Sequence, residues 1–527
     1  MNTMRKLPIG IQDFEKLRNG NYVYVDKTEH LYQLACEEKP YFLSRPRRFG
    51  KSLFLSTLKA FFEGKKELFK NLKVYDLEKN WTEYPIIYLD MNVGNFESKE
   101  TFLERLGLIL QYYEKVWGKF LDTNDVSSRF EALIRTMQQQ KGKPVVVLID
   151  EYDKPLLETM NNIDLNDEIR RIFKSFYGVL KTNDKYLRFV FLAGVTKFSK
   201  VSIFSDLNQL IDISLDSKYS GICGITQTEL EENFVPEISA LAETTQKTYE
   251  ETLFELQKCY NGYHFSENLI GVYNPFSLLN TFSAQKYRYY WFATGTPTFL
   301  AKALKNQNYD IRKFDDDVKI AANLVMDYRT ENQSLIPLLY QSGYLTIKSY
   351  EQDGNFYVLG FPNEEVKYGF LNELLPAFVL TPITTGNFSI IEFMQQIKNG
   401  DIEKFMLSLK AFFAAIPYDS IKQEHRDEQY YQHVFYLLFT LIGESVQTEV
   451  KNNKGRADAV LKTADNIYVF EFKMDDNATA EDALAQINNK DYAIPYTTNH
   501  RKIVKIGVEF SQKERGIKRW LIENTCT

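Results

Sequence analysis

Two hydrophobic periods run along this chain. Short unbroken apolar runs recur at Tyr41-Phe42-Leu43, Pro85–Leu89, Val145–Ile149 and Phe189–Leu192. Five consecutive aliphatics, as at 145–149, read as a strand buried on both faces, the habit of a parallel sheet. Between these runs the apolar positions fall at helical spacing, over 53–72 and over 97–139 with Phe102, Leu106, Leu110 and Tyr113 on one stripe. Upstream, Tyr22–Val25 reads as a short strand and Thr28–Leu34 as a helix capped near Asp26 or Thr28. Beyond Gly224 the pattern is helical, opening on Glu229, Glu231 and Glu232, and Trp291–Pro297 leads into a further helix. Residues 335–349 predict a helix, a glycine turn and a strand, and Asp353-Gly354 a hairpin. A linker follows near 381–386, then a helix over 388–413. The last third predicts helix–strand–strand–strand–helix, from Glu428 to a helix carrying Ala483, Leu484, Gln486 and Ile487.

The first candidate chemistry lies where the first apolar run ends. Residues 44–53 read SRPRRFGKSL, and Gly50-Lys51-Ser52 is the second half of the phosphate-binding pattern G-x-x-x-x-G-K-[ST], with Arg45 where the first glycine belongs. Glycine admits a phosphate to the backbone, lysine supplies a point charge, and the serine hydroxyl can hold Mg²⁺ at a helix N-terminus. A solvated basic turn is the ordinary alternative. The run at 145–149 ends in Asp150-Glu151, the place of the metal-holding aspartate and water-polarising glutamate in phosphate-loop NTPases. The two motifs belong together mechanically. The candidate nucleotide-binding residues are therefore Arg48, Phe49, Gly50, Lys51, Ser52, Leu53, Asp150 and Thr196, with Ser52 and Asp150 on the metal and Glu151 catalytic. Thr196, just past the end of the run at 189–192, is the candidate γ-phosphate sensor, while Lys197 serves equally as a turn residue. Among Arg170, Arg171 and Arg188 no arginine finger is favoured.

A second constellation lies near the C-terminus. Asp458 opens one predicted strand, and Glu471-Phe472-Lys473 closes the next. Glu471 and Lys473, two residues apart, point to one face of a strand. An antiparallel partner brings Asp458 to that face, where two carboxylates can bind Mg²⁺ and a lysine can serve the water or the phosphorane. This is the D…E-x-K layout of PD-(D/E)xK nucleases, with Glu428 as an extra acidic metal ligand and Gln486 as an accessory. An amphipathic hairpin with charges on its wet face is the plain alternative.

Composition changes this picture little. The 527 residues are 44% hydrophobic and 15% aromatic, enough for two to four domains with real cores. A net charge of −6 does not demand a nucleic-acid partner, though local basic patches can bind one. Four cysteines without a C-x-x-C pair indicate neither a zinc site nor a disulfide framework, and fit a reducing cytoplasm. No apolar run approaches a membrane span, and the first residues lack a signal-peptide core.

The chain resembles the prokaryotic AAA-ATPase-like proteins with a C-terminal PD-(D/E)xK nuclease-like domain, on LPIGIQDFEKLRNGNYVYVDKT, SRPRRFGKSL, VVVLIDEYDKPL, FLAGVTKFSK, YNGYHF, YNPFSLL, GRADAVL and YVFEFK in order. In that family an arginine at the first loop glycine is usual. The resemblance implies an α/β architecture: a P-loop parallel sheet over 1–221, a helical lid and winged-helix-like region over 222–380, and a nuclease-like domain over 387–527. It implies ATP and Mg²⁺ as cofactors and nucleic acid as partner, DNA ahead of RNA, with homo-oligomers possible and no membrane. An ATP-gated nucleic-acid clamp and a protein-interaction switch, each with a silent nuclease fold, are the rival expectations.

Overall fold

Val145, Val146, Val147, Leu148 and Ile149 are all fully buried, as an unbroken aliphatic run in a covered sheet must be. They form a central strand of an all-parallel five-stranded sheet. Its strands are β1 (Pro40–Ser44), β2 (Ile86–Asp90), β3 (Val145–Asp150), β4 (Leu187–Gly194) and β5 (Ile211–Asp212), in the order β2-β3-β4-β1-β5. The computed structural model describes residues 5–525 except 93, 95, 120, 198–208, 293–303, 305–308, 316, 328–333, 380–382, 417–427, 443–444, 452–455, 476–477, 498–499, 512 and 515. The chain divides into two units: residues 1–294 with 314–366, and 295–313 with 367–527.

In the first unit, strand order decides what meets at the carboxyl ends. β4 lies between β1 and β3, so the loop after β1 and the acidic end of β3 flank the end of β4. Helices Val126–Lys141 and Ile163–Thr182 pack on each other, with Phe130 and Phe176 stacked at 4.6 Å. The periodic stretch 97–139 is two helices, because Gly118 adopts φ 98° and Asp125 caps a new start. The helix expected over 53–72 ends at Phe62, ahead of Gly64 in the left-handed region, and a 3₁₀ turn and a short helix follow. Tyr22–Val25 forms no strand; one bridge, Lys6 with Tyr22, is all that pairs there.

Beyond the sheet come helices Gln227–Asn233, Val235–Thr245, Tyr249–Tyr260 and Pro275–Ala284, with a two-stranded pair β6 (Ile225–Thr226) and β7 (Val272–Tyr273). Their shared core holds Leu230, Ile238, Leu256, Tyr260 and Leu278. The helix–glycine–strand expectation holds: helix Ile336–Ser342 ends at Gly343, and β9 (Thr346–Glu351) pairs with β10 (Phe356–Gly360) and through it with β8 (Val318–Ala321). The helix expected after Trp291 falls outside the described residues.

In the second unit five strands run β11 (Ser445–Lys451), β12 (Arg456–Lys462), β13 (Asn466–Met474), β14 (Lys502–Ser511) and β15 (Gly516–Thr525) in sequence order. Only the β13–β14 pair is parallel, joined through helix Ala480–Asn489. The helix expected over 388–413 is two, Ile383–Lys398 and Ile402–Ala414, broken at Gly400 with Asp401 as the new cap. The first takes up the second half of the stretch read as a linker. Among the described residues, no helix is long and apolar enough to cross a membrane.

Candidate nucleotide and metal sites

β1 ends at Ser44, and past Pro46 the chain turns through Arg48 at φ 70° and Gly50 at φ 96° before helix Lys51–Phe62 begins. The helix has no side-chain N-cap, which leaves first-turn N–H groups facing the turn. A cavity of about 480 Å³ opens there, lined by Arg48, Phe49, Gly50, Lys51, Ser52, Leu53 and Glu151 among others. Lys51 is 4% exposed and donates to the carbonyls of Arg45 (3.1 Å) and Pro46 (3.2 Å). Its ammonium lies 3.8 Å from Oε1 of Glu151.

Asp150 ends β3 almost buried and accepts from the Glu151 amide (3.0 Å) and the Tyr88 hydroxyl (3.3 Å). Burial pushes its carboxyl up, a hydrogen bond with the Ser52 hydroxyl opposes that, and the Glu151 charge adds to it. The structure thus brings Lys51, Ser52, Asp150 and Glu151 together. Ser52 and Asp150 line one cleft with Tyr88 and Asp90, and a carboxylate beside a serine hydroxyl is a donor set that suits a hydrated divalent ion.

Thr196 is not brought to this cluster. It is fully buried, and its hydroxyl and amide both donate to Oδ2 of Asp153, at 2.7 and 2.6 Å. Asp153 was not singled out in the sequence, yet it ties the turn after β3 to the end of β4. Burial and the Glu151 charge push it up to about 6, against the Thr196 hydrogen bonds. Gly194 is a glycine for the same reason, since a Cβ there would stand 2.5 Å from Asp153 Oδ1. Lys197 pairs with Asp212 at 2.7 Å. Arg170 pairs with Asp167, and Arg188 with Ala35 O and Glu38.

Arg45 faces away from the cavity. It is 1% exposed, donates to the carbonyls of Ser44, Ser214 and Tyr219, and lies 4.1 Å over the Phe265 ring. The arginine is a buried strut beneath the turn, which a glycine could not supply. Residues that follow the sheet in sequence hold the turn from the other side. Gly224 N donates to Phe49 O, the Trp291 indole donates to Arg47 O at 3.2 Å, and Arg48 lies 4.9 Å over Phe276.

At the C-terminal site the alternation Phe470-Glu471-Phe472-Lys473 splits β13 into two faces. Phe470 and Phe472 pack under helix Glu428–Leu441, with Phe472 4.4 Å from Phe435 and Phe470 5.2 Å from Phe439. Glu471 and Lys473 share the other face. Antiparallel pairing of β12 with β13 places Asp458 so that its Oδ2 accepts from Phe472 N at 2.8 Å. Glu471 is 2% exposed; Oε1 accepts from Lys473 Nζ (3.0 Å) and from Gln486 Nε2, while Oε2 is buried without a hydrogen-bond partner among the described residues. Burial, then the Asp458 charge, push Glu471 up to about 7, with Lys473 opposing. Asp458, Glu471, Lys473 and Gln486 therefore meet as expected. An orphaned, buried carboxylate oxygen beside a second carboxylate fits a divalent ion. Glu428 begins its helix, and its side chain lies outside the described residues.

Gln432, Asp310 and Arg312 also reach this site and were missed in the sequence. Gln432 carries a visible signal, one helical turn after Glu428 on the same helix, whereas Asp310 and Arg312 carry none.

Two family models match: a predicted AAA-ATPase over residues 8–204, and the PD-(D/E)XK nuclease superfamily over 426–520. A protein of Azotobacter chroococcum mcd 1, described as an uncharacterized protein in the vnfD 5′ region, is 37% identical over 534 residues, spanning 99% of each chain.

Proposed function

The chain belongs to the family of predicted AAA-ATPases that end in a PD-(D/E)XK nuclease-superfamily domain, and from that premise we propose that it hydrolyses ATP and cleaves phosphodiester bonds of nucleic acid, DNA ahead of RNA, with Mg²⁺ at both sites. The observation that carries the second half is the buried Glu471 carboxylate, whose Oε2 has no hydrogen-bond partner among the described residues while Lys473 and Asp458 stand beside it.

At the first site Gly50 and the helix start at Lys51 receive the phosphates, and Lys51 neutralises the terminal one. Ser52 and Asp150 would hold the Mg²⁺, and Glu151 orients and polarises the attacking water. Thr196 acts through Asp153, which sets the distance between the ends of β3 and β4. At the second site Asp458 and Glu471, joined by Glu428, would hold the metal. When bound, the ion supplies Lewis-acid stabilisation of the charge that builds on the phosphate. Lys473, kept in place by Glu471, donates to that charge, and Gln486 fixes the Glu471 carboxylate. The three parts 1–221, 222–380 and 387–527 are then the ATPase, lid and nuclease segments of a protein that works in the cytoplasm.

Plasmid nicking in Mg²⁺ or Mn²⁺ tests this reading. Wild type cuts and Asp458→Ala does not. A wild type that cuts neither DNA nor RNA, but shifts them in a gel with steep salt dependence, moves the reading to a nucleic-acid clamp.

A further inference from the structure

The C-terminal site has a hydrogen-bond chain that starts far from it in sequence. Arg312 grips Asp310 with two nitrogens, Nε to Oδ1 at 2.8 Å and Nη2 to Oδ2 at 3.0 Å. Its remaining arm, Nη1, donates to Oε1 of Gln432 at 2.8 Å, across 120 residues of sequence. Gln432 Nε2 in turn donates to Oδ1 of Asp458 at 3.3 Å. His433, the next residue on the helix, is 1% exposed and meets Asp310 Oδ1 at 3.1 Å, so the arginine–aspartate pair is clamped from below. Residues 310 and 312 lie outside both matched regions, 8–204 and 426–520.

The chemistry of the chain fixes its direction. Arginine offers only donors and an ionised aspartate only acceptors. A glutamine between them has one orientation that satisfies both, carbonyl to Arg312 and amide to Asp458. A carboxylate at 432 would repel Asp458. An arginine placed directly on Asp458 would neutralise the charge a metal needs. The amide passes on orientation without passing on charge, and Asp310 cancels the guanidinium behind it. Asp458 Oδ2 is already held by Phe472 N, so Gln432 supplies an anchor on the other oxygen.

We infer that Gln432 and Arg312 are positioning residues for the metal-binding carboxylate Asp458, and that the 310–312 segment is a working part of the nuclease-type site. This rests on the nuclease reading above. Partners of this kind outside the ligand shell typically govern metal affinity by about 10–100-fold.

Mn²⁺ binding to the full-length protein without nucleotide, followed by electron paramagnetic resonance and titration calorimetry, is the test. The site in question is the one Asp458→Ala removes. Gln432→Met keeps the side-chain volume and Arg312→Ala removes the outer anchor. Each is expected to raise the Mn²⁺ Kd of that site about tenfold, and to raise the metal needed for half-maximal cleavage equally. The rate at saturating metal should return to within a few-fold of wild type, which a folding defect would not permit. If Arg312→Ala does not fold, Gln432→Met decides alone. Wild-type Kd in the variants, with the site still lost in Asp458→Ala, overturns the inference and leaves the nuclease reading standing. If Asp458→Ala leaves Mn²⁺ binding unchanged, the nuclease reading fails and the inference with it.

Discussion

The ammonium of Lys51 stands 3.8 Å from the carboxylate of Glu151, and both line the same cavity. The Arg45 and Pro46 carbonyls also accept from Lys51, so its ammonium is held by the loop's own backbone. On the proposed reading, a terminal phosphate takes the lysine from Glu151 and frees that carboxylate for water. Lys51→Ala is therefore expected to lose labelled-ATP binding. Glu151→Gln should bind ATP at least as tightly as wild type, since the competitor is gone, and hydrolyse it about 100-fold more slowly. ATP binding unchanged in Lys51→Ala would remove the site from this loop.

Both residue clusters were legible in the sequence because strand ends announce themselves. An unbroken run closing on Asp150-Glu151, or an alternation closing on Glu471-Phe472-Lys473, reveals face and terminus together. Contacts that depend on which strands neighbour each other were not legible. Asp153 finds Thr196 only because β4 lies beside β3, and Arg45 finds Ser214 and Tyr219 only because the chain returns beneath the turn. Arg312 reaches Asp458 through Gln432, across a separation that no periodicity spans. Helix ends were misplaced where glycines at positive φ, Gly64, Gly118 and Gly400, cut runs whose apolar spacing continued.

Asp153 and Gly194 form a lock between two sheet strands. A methyl at 194 would stand 2.5 Å from Asp153 Oδ1 and 2.6 Å from the Tyr152 ring, both in fully buried surroundings. Gly194→Ala is expected to destabilise the first unit by about 1–3 kcal/mol, as overpacking does. Asp153→Ala, which strands the Thr196 hydroxyl and two amides, should cost about 2–4 kcal/mol. Urea midpoints of both variants check this, and wild-type midpoints would refute the lock.

Trp291 joins the loop to a buried acid: its indole donates to Arg47 O, and its amide to Glu365 Oε1 at 2.8 Å. ATP that rearranges the loop backbone should shift tryptophan fluorescence. With Trp81, Trp117 and Trp520 changed to Phe, the shift should persist, and adding Trp291→Phe should abolish it while ATP still binds within a few-fold of wild type. A shift that survives without Trp291 would show that the indole does not report on the loop.

Glu365 itself carries a pH dependence. It is fully buried, accepts from Ser277 and Trp291 on one oxygen, and leaves the other without a partner. Burial pushes it up to about 7, from the ordinary glutamate value of 4.5. The folded protein therefore binds more protons than the unfolded chain between those values, so this group makes stability fall as pH rises through that window and level off above 7. The cost at pH 8 is on the order of 3 kcal/mol. Glu365→Gln keeps the acceptor for Trp291 and Ser277 and removes the charge. It should flatten the loss between pH 5 and 7, by about this amount relative to wild type, and leave the protein more stable at pH 8. Chemical unfolding at pH 5, 6, 7 and 8 gives the two curves. Parallel curves for wild type and variant would mean that Glu365 is ionised, and paired, throughout.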